Sequence, residues 1–232
     1  MSTLKPIVVW GHDMGPNPLK VHIVLEELDI PFDYKIISFS DMKKEPFLSI
    51  NPNGRVPAIE DPNTGVTIWE SGPILEYIID QYDKENKLSY DTLAEKYQIK
   101  QWIAFQISGQ GPYYGQAVWF SRVHHEKLPS AIERYTKEME RVRSVLELHL
   151  SRSPSGWLVG DKMTVADLAW VMWEQIGTLI LLFQDIHLEG KYPHYDAWYK
   201  KLLERPTVRK VLLSRTKSLR ESGLAPDAPD PF

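Results

Sequence analysis

Glu70 and Ser71 stand side by side where a helix is expected to begin. A serine there is first of all an N-cap. Free amides and the positive end of a helix can also hold a carboxylate, with Ser71 as donor and Glu70 available for an ammonium. Upstream, Val56-Pro57 lies between an irregular loop and a strand. Spacing alone favours a plain turn, since few X-Pro bonds are cis, whereas a cis peptide would present the valine N–H and C=O at a sheet edge. Asn17 precedes Pro18, the pairing of an N-cap with a first helical residue of preset φ. Aromatics and glycines crowd between Gly109 and Phe120, a run that includes Gln110, Tyr113, Tyr114 and Trp119. Glycines that interrupt a helix beside aromatic rings suit the wall of a pocket for an aromatic or polyene ligand. Core packing explains Trp119 and Phe120 about as well.

Other clusters carry less. His124-His125-Glu126 are adjacent rather than at metal-ligand spacing and read as a solvated turn. His12 follows the first strand and reads as a surface or satisfied polar residue. Thr164-Val165-Ala166-Asp167 has capping-box spacing before an apolar run and reads as structural. No GxSxG, phosphate-binding loop or GxGxxG is present. The chain has 232 residues and no cysteine, so any thiol chemistry must arrive with a ligand. A net charge of −4 without blocks of like charge gives no pull toward nucleic acid or an anionic membrane. Uninterrupted apolar runs such as Leu179 to Phe183 are too short to span a bilayer, and the N-terminus lacks a signal-peptide pattern. A soluble, cytoplasmic protein is expected.

These residues must be positioned by two kinds of structure. Up to residue 83 the pattern is β-α-β, a loop, then β-β-α, and beyond residue 90 every long segment has helical period. Strands are expected at Ile7 to Trp10, Phe32 to Ile37, Ala58 to Glu60 and Val66 to Trp69, the last two forming a hairpin around Asp61 to Gly65. Helices are expected over 18–28, 71–82, 93–121, 128–152, 164–183, 193–203 and 206–220. The expected fold is therefore α/β plus all-α, with domains at 1–83 and 91–221. Residues 222–232, with three prolines, read as a flexible tail.

Several motifs in one frame resemble the cytosolic glutathione S-transferases from about residue 6 to 212. They are Gly15-Pro16-Asn17-Pro18-Leu19-Lys20, Asn51-Pro52-Asn53-Gly54-Arg55-Val56-Pro57, Trp69-Glu70-Ser71-Gly72 and Leu158 to Asp167. Ser108-Gly109-Gln110-Gly111-Pro112, Gly115-Gln116 and Ala131-Ile132-Glu133-Arg134-Tyr135 are similar to the fungal nitrogen-regulator-like, nu-related subclass. The resemblance implies a thioredoxin-like N-terminal domain, an all-helical C-terminal domain, a homodimer, and glutathione bound as cosubstrate in a cleft beside an apolar pocket. It implies that Val56 pairs its backbone with the cysteinyl unit before a cis Pro57. It further implies that Glu70 and Ser71 hold the γ-glutamyl end, that Arg55 neighbours the glycyl arm, and that Arg134 reaches the partner chain's glutathione. Relatives often carry His or Gln where Met42 stands, so Lys43 or Lys44 is a substitute contact for the glycyl carboxylate. Gln110, Tyr113, Tyr114 and Trp119 are the expected substrate pocket.

In this subclass Asn17 stands where other classes place a catalytic Tyr or Ser. Lowering a thiol pKa from about 8.5 to about 6.5 requires roughly 2.7 kcal/mol. One hydrogen bond to a charged group contributes about 1.5 to 3 kcal/mol and a helix N-terminus about 0.3 to 1, so an asparagine amide suffices. The alternative is that Asn17 only caps its helix. The resulting expectation is a glutathione transferase whose bound thiolate attacks an apolar electrophile, in detoxification or secondary metabolism. Thiol-dependent cis-trans isomerisation of a polyene, peroxide or disulfide reduction, and a non-catalytic regulatory role are the alternatives.

Overall fold

The computed structural model describes residues 4–232. Two compact units form: one comprises the chain up to Ser89 together with Arg205–Phe232, the other Tyr90–Glu204.

The first unit is built on a four-stranded sheet of β1 (Ile7–Gly11), β2 (Phe32–Ile36), β3 (Ala58–Asp61) and β4 (Val66–Trp69), in the order β2-β1-β3-β4. β1 and β2 are parallel, which requires the crossover through helix α1 (Pro16–Glu27). β3 pairs antiparallel with both β1 and β4. The short α2 (Phe47–Ile50) leads into β3, and α3 (Ser71–Tyr82) follows β4. α1 buries Leu19, Val21, Ile23, Val24 and Leu25, and α3 buries Ile74, Leu75 and Ile78, where the two helices pack together and on the sheet. A separate small core joins Ile37, Met42, Phe47 and Ala58 with Trp10, Ile50 and Val56.

The second unit is helical: α4 (Leu93–Phe105), α5 (Gly111–Val118), α6 (Pro129–Leu150), α7 (Val165–Leu168), α8 (Val171–Phe183) and α9 (Pro193–Leu203). The helix expected over 93–121 continues through its glycines by way of π-helical turns at Gln106–Gln110 and Trp119–Val123. Gly109 is required by packing, since a Cβ there would lie 2.7 Å from the Phe105 ring. Prolines open α1, α5, α6 and α9 in the first turn, where a missing N–H costs nothing.

Two buried carboxylates organise this unit. Asp167 accepts from the Leu158 and Thr164 N–H groups at 3.0 and 2.8 Å, from the Thr164 hydroxyl at 3.0 Å and from the Trp198 indole at 2.8 Å. Burial pushes its carboxyl upward and these donors oppose it. Glu174 accepts from Gln110 at 2.7 Å, Tyr114 at 3.0 Å, Arg143 at 3.0 Å and Tyr195 at 2.7 Å. Such satisfaction is what lets a charge sit in an apolar interior. The stretch Val165–Phe183 is long and apolar enough to cross a membrane, which counting uninterrupted apolar residues did not reveal, but 78% of its apolar window is buried in the protein.

Four expectations about the chain ends and helix starts are corrected. The last helix, α10 (Pro206–Glu221), belongs with the first unit rather than the helical one. The buried Glu27 at the end of α1 accepts from Arg205 at 2.6 and 3.1 Å and from the Thr207 hydroxyl, and Arg215 donates to the Met14 carbonyl at 3.1 Å. The final residues are tied down: Arg220 donates to the Ala228 carbonyl and Asp230 at 2.7 and 2.9 Å, and Arg209 stacks 3.9 Å from the Phe232 ring. Helix α1 starts at Pro16 with Gly15 before it, so Asn17 lies inside the first turn and is not its N-cap. Likewise Glu70 precedes α3 and Ser71 is its first residue.

α1 also buries Lys20 completely. Burial pulls its ammonium down to about 7, against the opposing field of the Glu70 carboxylate. The unfolded chain then holds more protons than the folded one between about 7 and the ordinary lysine value of 10.5, so this group's contribution to stability rises with pH across that window. Lys20→Met is expected to flatten the stability gain between those limits by an amount on the order of a few kcal/mol, read from urea unfolding of both proteins at pH 6 to 10. Asp167→Ala leaves the Trp198, Thr164 and Leu158 donors buried without an acceptor. It should cost about 3 kcal/mol or more, with Asp167→Asn recovering part of the loss in the same measurement.

Candidate functional site

A polar cavity of about 80 Å³ in the first unit is lined by Asn17, Asn51, Asn53, Arg55, Val56, Pro57, Glu70 and Ser71. Five residues singled out from the sequence thus meet there, although they come from three separate chain segments. Asn17 arrives on the first turn of α1 and Ser71 on the first residue of α3, so the amide-rich ends of two twelve-residue helices border one space.

The loop between α2 and β3 supplies the middle of the wall. The buried Asn51 shapes it: its Nδ2 donates to the Arg55 carbonyl at 2.6 Å and its Oδ1 accepts from the Asn53 N–H at 3.0 Å. Gly54 follows at φ 58°, where a Cβ would lie 2.7 Å from the Met42 carbonyl, so conformation and space both demand glycine. The Val56–Pro57 peptide is cis, as is Glu45–Pro46. Among the described residues nothing pairs with the Val56 N–H or C=O.

Glu70 sits at φ 73° and ψ 123°, a backbone conformation that costs a non-glycine residue on the order of 1–3 kcal/mol and that clusters at functional sites. Its carbonyl accepts the Ile74 N–H at 3.0 Å, and its Oε1 lies 3.5 Å from Asn53 Nδ2. The carboxylate is exposed, while Ser71 beside it is buried. The cavity therefore offers an anion-seeking end at Ser71 and the α3 amides, an ammonium-seeking carboxylate at Glu70, and the cation of Arg55.

The neighbours of this loop separate Met42 from the two candidates Lys43 and Lys44. Met42 points into the small core and is 5% exposed, so it does not replace a polar contact. Lys44 pairs with Asp41 at 3.1 Å. Lys43 Nζ donates to the Asn53 carbonyl at 3.2 Å, which carries its charge to the edge of the cavity.

In the helical unit the expected pocket residues divide. Gln110 and Tyr114 are fully buried and donate to Glu174, so they belong to the core and not to an accessible wall. The π turn at 106–110 rotates Gln110 inward, a change of phase that a period of 3.6 residues does not anticipate. Tyr113 is half-buried and Trp119 is exposed. With them stand Phe120 of the same run and two rings outside it, Tyr135 and His124: Phe120 stacks on Tyr135 at 5.6 Å, Tyr113 lies 6.4 Å from Tyr135, and His124 is 5.3 Å from Phe120 and 6.4 Å from Trp119. Tyr135 was not grouped with them because it lies on the next helix. Arg134 is on the exposed face of α6.

Asn51 and Asn53 also escaped selection as site residues. Their signal was the turn-forming Asn-Pro-Asn-Gly run, which reads as a loop rather than a wall. His12 is buried, stacks on Phe39 at 4.5 Å and accepts from the Met14 N–H at 3.3 Å through Nδ1, which fits the satisfied polar residue rather than the surface one of the two expected settings. His124, His125 and Glu126 bring ligand atoms within 4.8 Å of one another, and His125 and Glu126 are exposed.

Residues 14–81 match the family model of the glutathione S-transferase N-terminal domain, and residues 115–215 match that of its C-terminal domain. The chain is 48% identical to the glutathione S-transferase-like protein tpcF of Aspergillus fumigatus, over 90% of this chain and 96% of that protein. Among solved structures it is similar to the glutathione transferase URE2P6 of Phanerochaete chrysosporium in complex with oxidised glutathione, at 44% identity and a TM-score of 0.85, covering 92% of this chain and 97% of the other. Ure2p5 of the same fungus, cocrystallised with 1-(S-glutathionyl)-2,4-dinitrobenzene, matches at 38% identity and a TM-score of 0.84 over 94% and 98% of the two chains. Matching domain models in order, and relatives aligned over nearly their whole length, place this chain in the glutathione S-transferase family, beside its fungal Ure2-like members.

Proposed function

We propose that the cavity bounded by the first turns of α1 and α3 binds glutathione and that the bound thiolate is added to an apolar electrophile. The observation that carries this reading is the convergence of Glu70, Ser71, Val56, Arg55 and Asn17 on one polar space. A γ-glutamyl group carries an ammonium and a carboxylate on the same carbon. Glu70 takes the former, and Ser71 with the α3 amides takes the latter. The Val56 main chain, next to a cis proline, offers one donor and one acceptor to an extended cysteinyl unit.

Asn17 lies within the first turn of α1, after the Gly15 N-cap, and lines the cavity. Its amide is then the donor to the sulfur, with the positive end of α1 adding to the same field. A thiolate held this way is a nucleophile at neutral pH without any protein cysteine. Arg55 and Lys43 are assigned to the glycyl carboxylate, Lys43 taking over what Met42 cannot do from the core.

The electrophile is assigned to the ring-bearing segment of Tyr113, Trp119, Phe120 and Tyr135, which suits a planar apolar molecule. The relative cocrystallised with a glutathionyl dinitrobenzene favours conjugation. The relative bound to oxidised glutathione favours disulfide or peroxide reduction as a second reading, with glutathione itself as reductant. We place the protein in the cytoplasm as a homodimer, with Arg134 of each chain contacting the other chain's glutathione.

Mass spectrometry of products separates the two readings: a covalent adduct marks transfer, oxidised glutathione marks reduction. Calorimetry that finds no glutathione binding removes both. Asn17→Ala should lower turnover about 10- to 100-fold, the equivalent of one charge-assisted hydrogen bond, while glutathione affinity changes little. Lys43→Gln should weaken glutathione binding about tenfold and leave binding of γ-glutamylcysteine, which lacks the glycyl arm, unchanged.

A further inference from the structure

A second cavity, of about 210 Å³, lies wholly within the helical unit between the end of α8, the following loop and α9. None of its lining residues belongs to the glutathione cavity or to the aromatic segment around Phe120. Its floor is hydrocarbon from Leu181, Ile186 and Leu188, with the rings of Tyr192, Tyr195 and Tyr199 as walls. An engineered apolar cavity of roughly 150 Å³ already holds benzene, so this space takes a single ring with a short substituent.

The charges around it are unequal. Arg143 lines the cavity, but its guanidinium is committed: Nε donates to the buried Glu174 at 3.0 Å, an Nη donates to the Thr178 hydroxyl at 3.0 Å, and the group lies over the Tyr195 ring at 5.2 Å. Glu174 is fully buried and neutralises that cation inside the wall. What remains at the cavity is the pair of carboxylates of Asp196 and Glu189, both on solvent-exposed residues, so they border the opening of the chamber and not its interior. Burial pushes the Asp196 carboxyl upward and the Glu147 and Glu189 carboxylates add to the effect, while the Gly190 N–H and Arg143 oppose it. Glu189 has His187 at 3.9 Å as its nearest ionic partner among the described residues, and the nearby Lys191 is engaged by Glu140 at 2.6 Å. An apolar chamber with two carboxylates and an internally neutralised arginine is complementary to a cation with a hydrocarbon body.

We propose that this distal cavity binds a small primary amine carrying an aryl or short alkyl group, with the ammonium on Asp196 and Glu189 and the apolar body on Leu181, Ile186 and Leu188. The site is independent of the glutathione reading. Phenethylamine is a suitable probe, with phenylacetate and 2-phenylethanol as anionic and neutral counterparts of similar shape. In calorimetric titration of the full chain, phenethylamine is expected to bind once per chain with a Kd of about 0.1–1 mM, and the other two at least about tenfold more weakly. Asp196→Asn should weaken phenethylamine about tenfold and bring it level with 2-phenylethanol. Ile186→Trp, which fills the chamber, should abolish binding, and both variants should retain the wild-type circular dichroism spectrum and Tm within a few degrees. The proposal is overturned if the three compounds bind alike, if none binds, or if phenethylamine binding survives either substitution.

Discussion

The Glu70 carboxylate is held at a backbone angle that side-chain-bearing residues avoid, immediately before α3, and the N-terminal unit is arranged around keeping it there. β4 ends at Trp69 and α3 begins at Ser71, so Glu70 alone makes the turn from strand to helix. Because the helix starts at Ser71, its first amides face the same space as the carboxylate, so opposite partial and full charges lie side by side. A ligand bearing both an ammonium and a carboxylate on one carbon satisfies both at once. The remaining wall is set by turns that are themselves over-determined. Asn51 clasps Arg55 and Asn53, and Gly54 takes the one angle and the one volume that allow the loop to pass Met42.

The helical unit solves a different problem, that of burying charge. Asp167 and Glu174 are each fully enclosed and each collects four donors. The four donors to Glu174 come from distant chain segments, and Asp167 ties its own helix start to Trp198 of α9, so each carboxylate joins helices. The same requirement withdrew Gln110 and Tyr114 from the accessible surface. It also left Arg143 neutralised at the wall of the distal cavity, where its positive charge no longer dominates.

Local sequence made much of the architecture legible. The continuous β-branched run at Ile7–Gly11, the turn residues that join Ala58–Asp61 to Val66–Trp69, and helix starts marked by Pro129, Pro193 and Pro206 follow from strand propensity, turn chemistry and the fixed φ of proline, all properties of a few neighbouring residues. The motif residues Asn17, Arg55, Val56, Glu70 and Ser71 were legible too, because each lies at a start or turn with its own sequence signal.

What the sequence determined by itself was therefore the order of elements, the absence of a protein thiol and a set of five polar-site candidates that the fold brings to one cavity. Tertiary structure decided which way those residues face. The π-helical turn at Gln106–Gln110 turned Gln110 to the core, the start of α1 at Pro16 moved Asn17 off the cap, and the Glu27–Arg205 pair drew α10 to the first unit. Each outcome depends on partners tens to hundreds of residues away, and the free energy of pairing a buried charge or filling a packed core is not encoded in any local window.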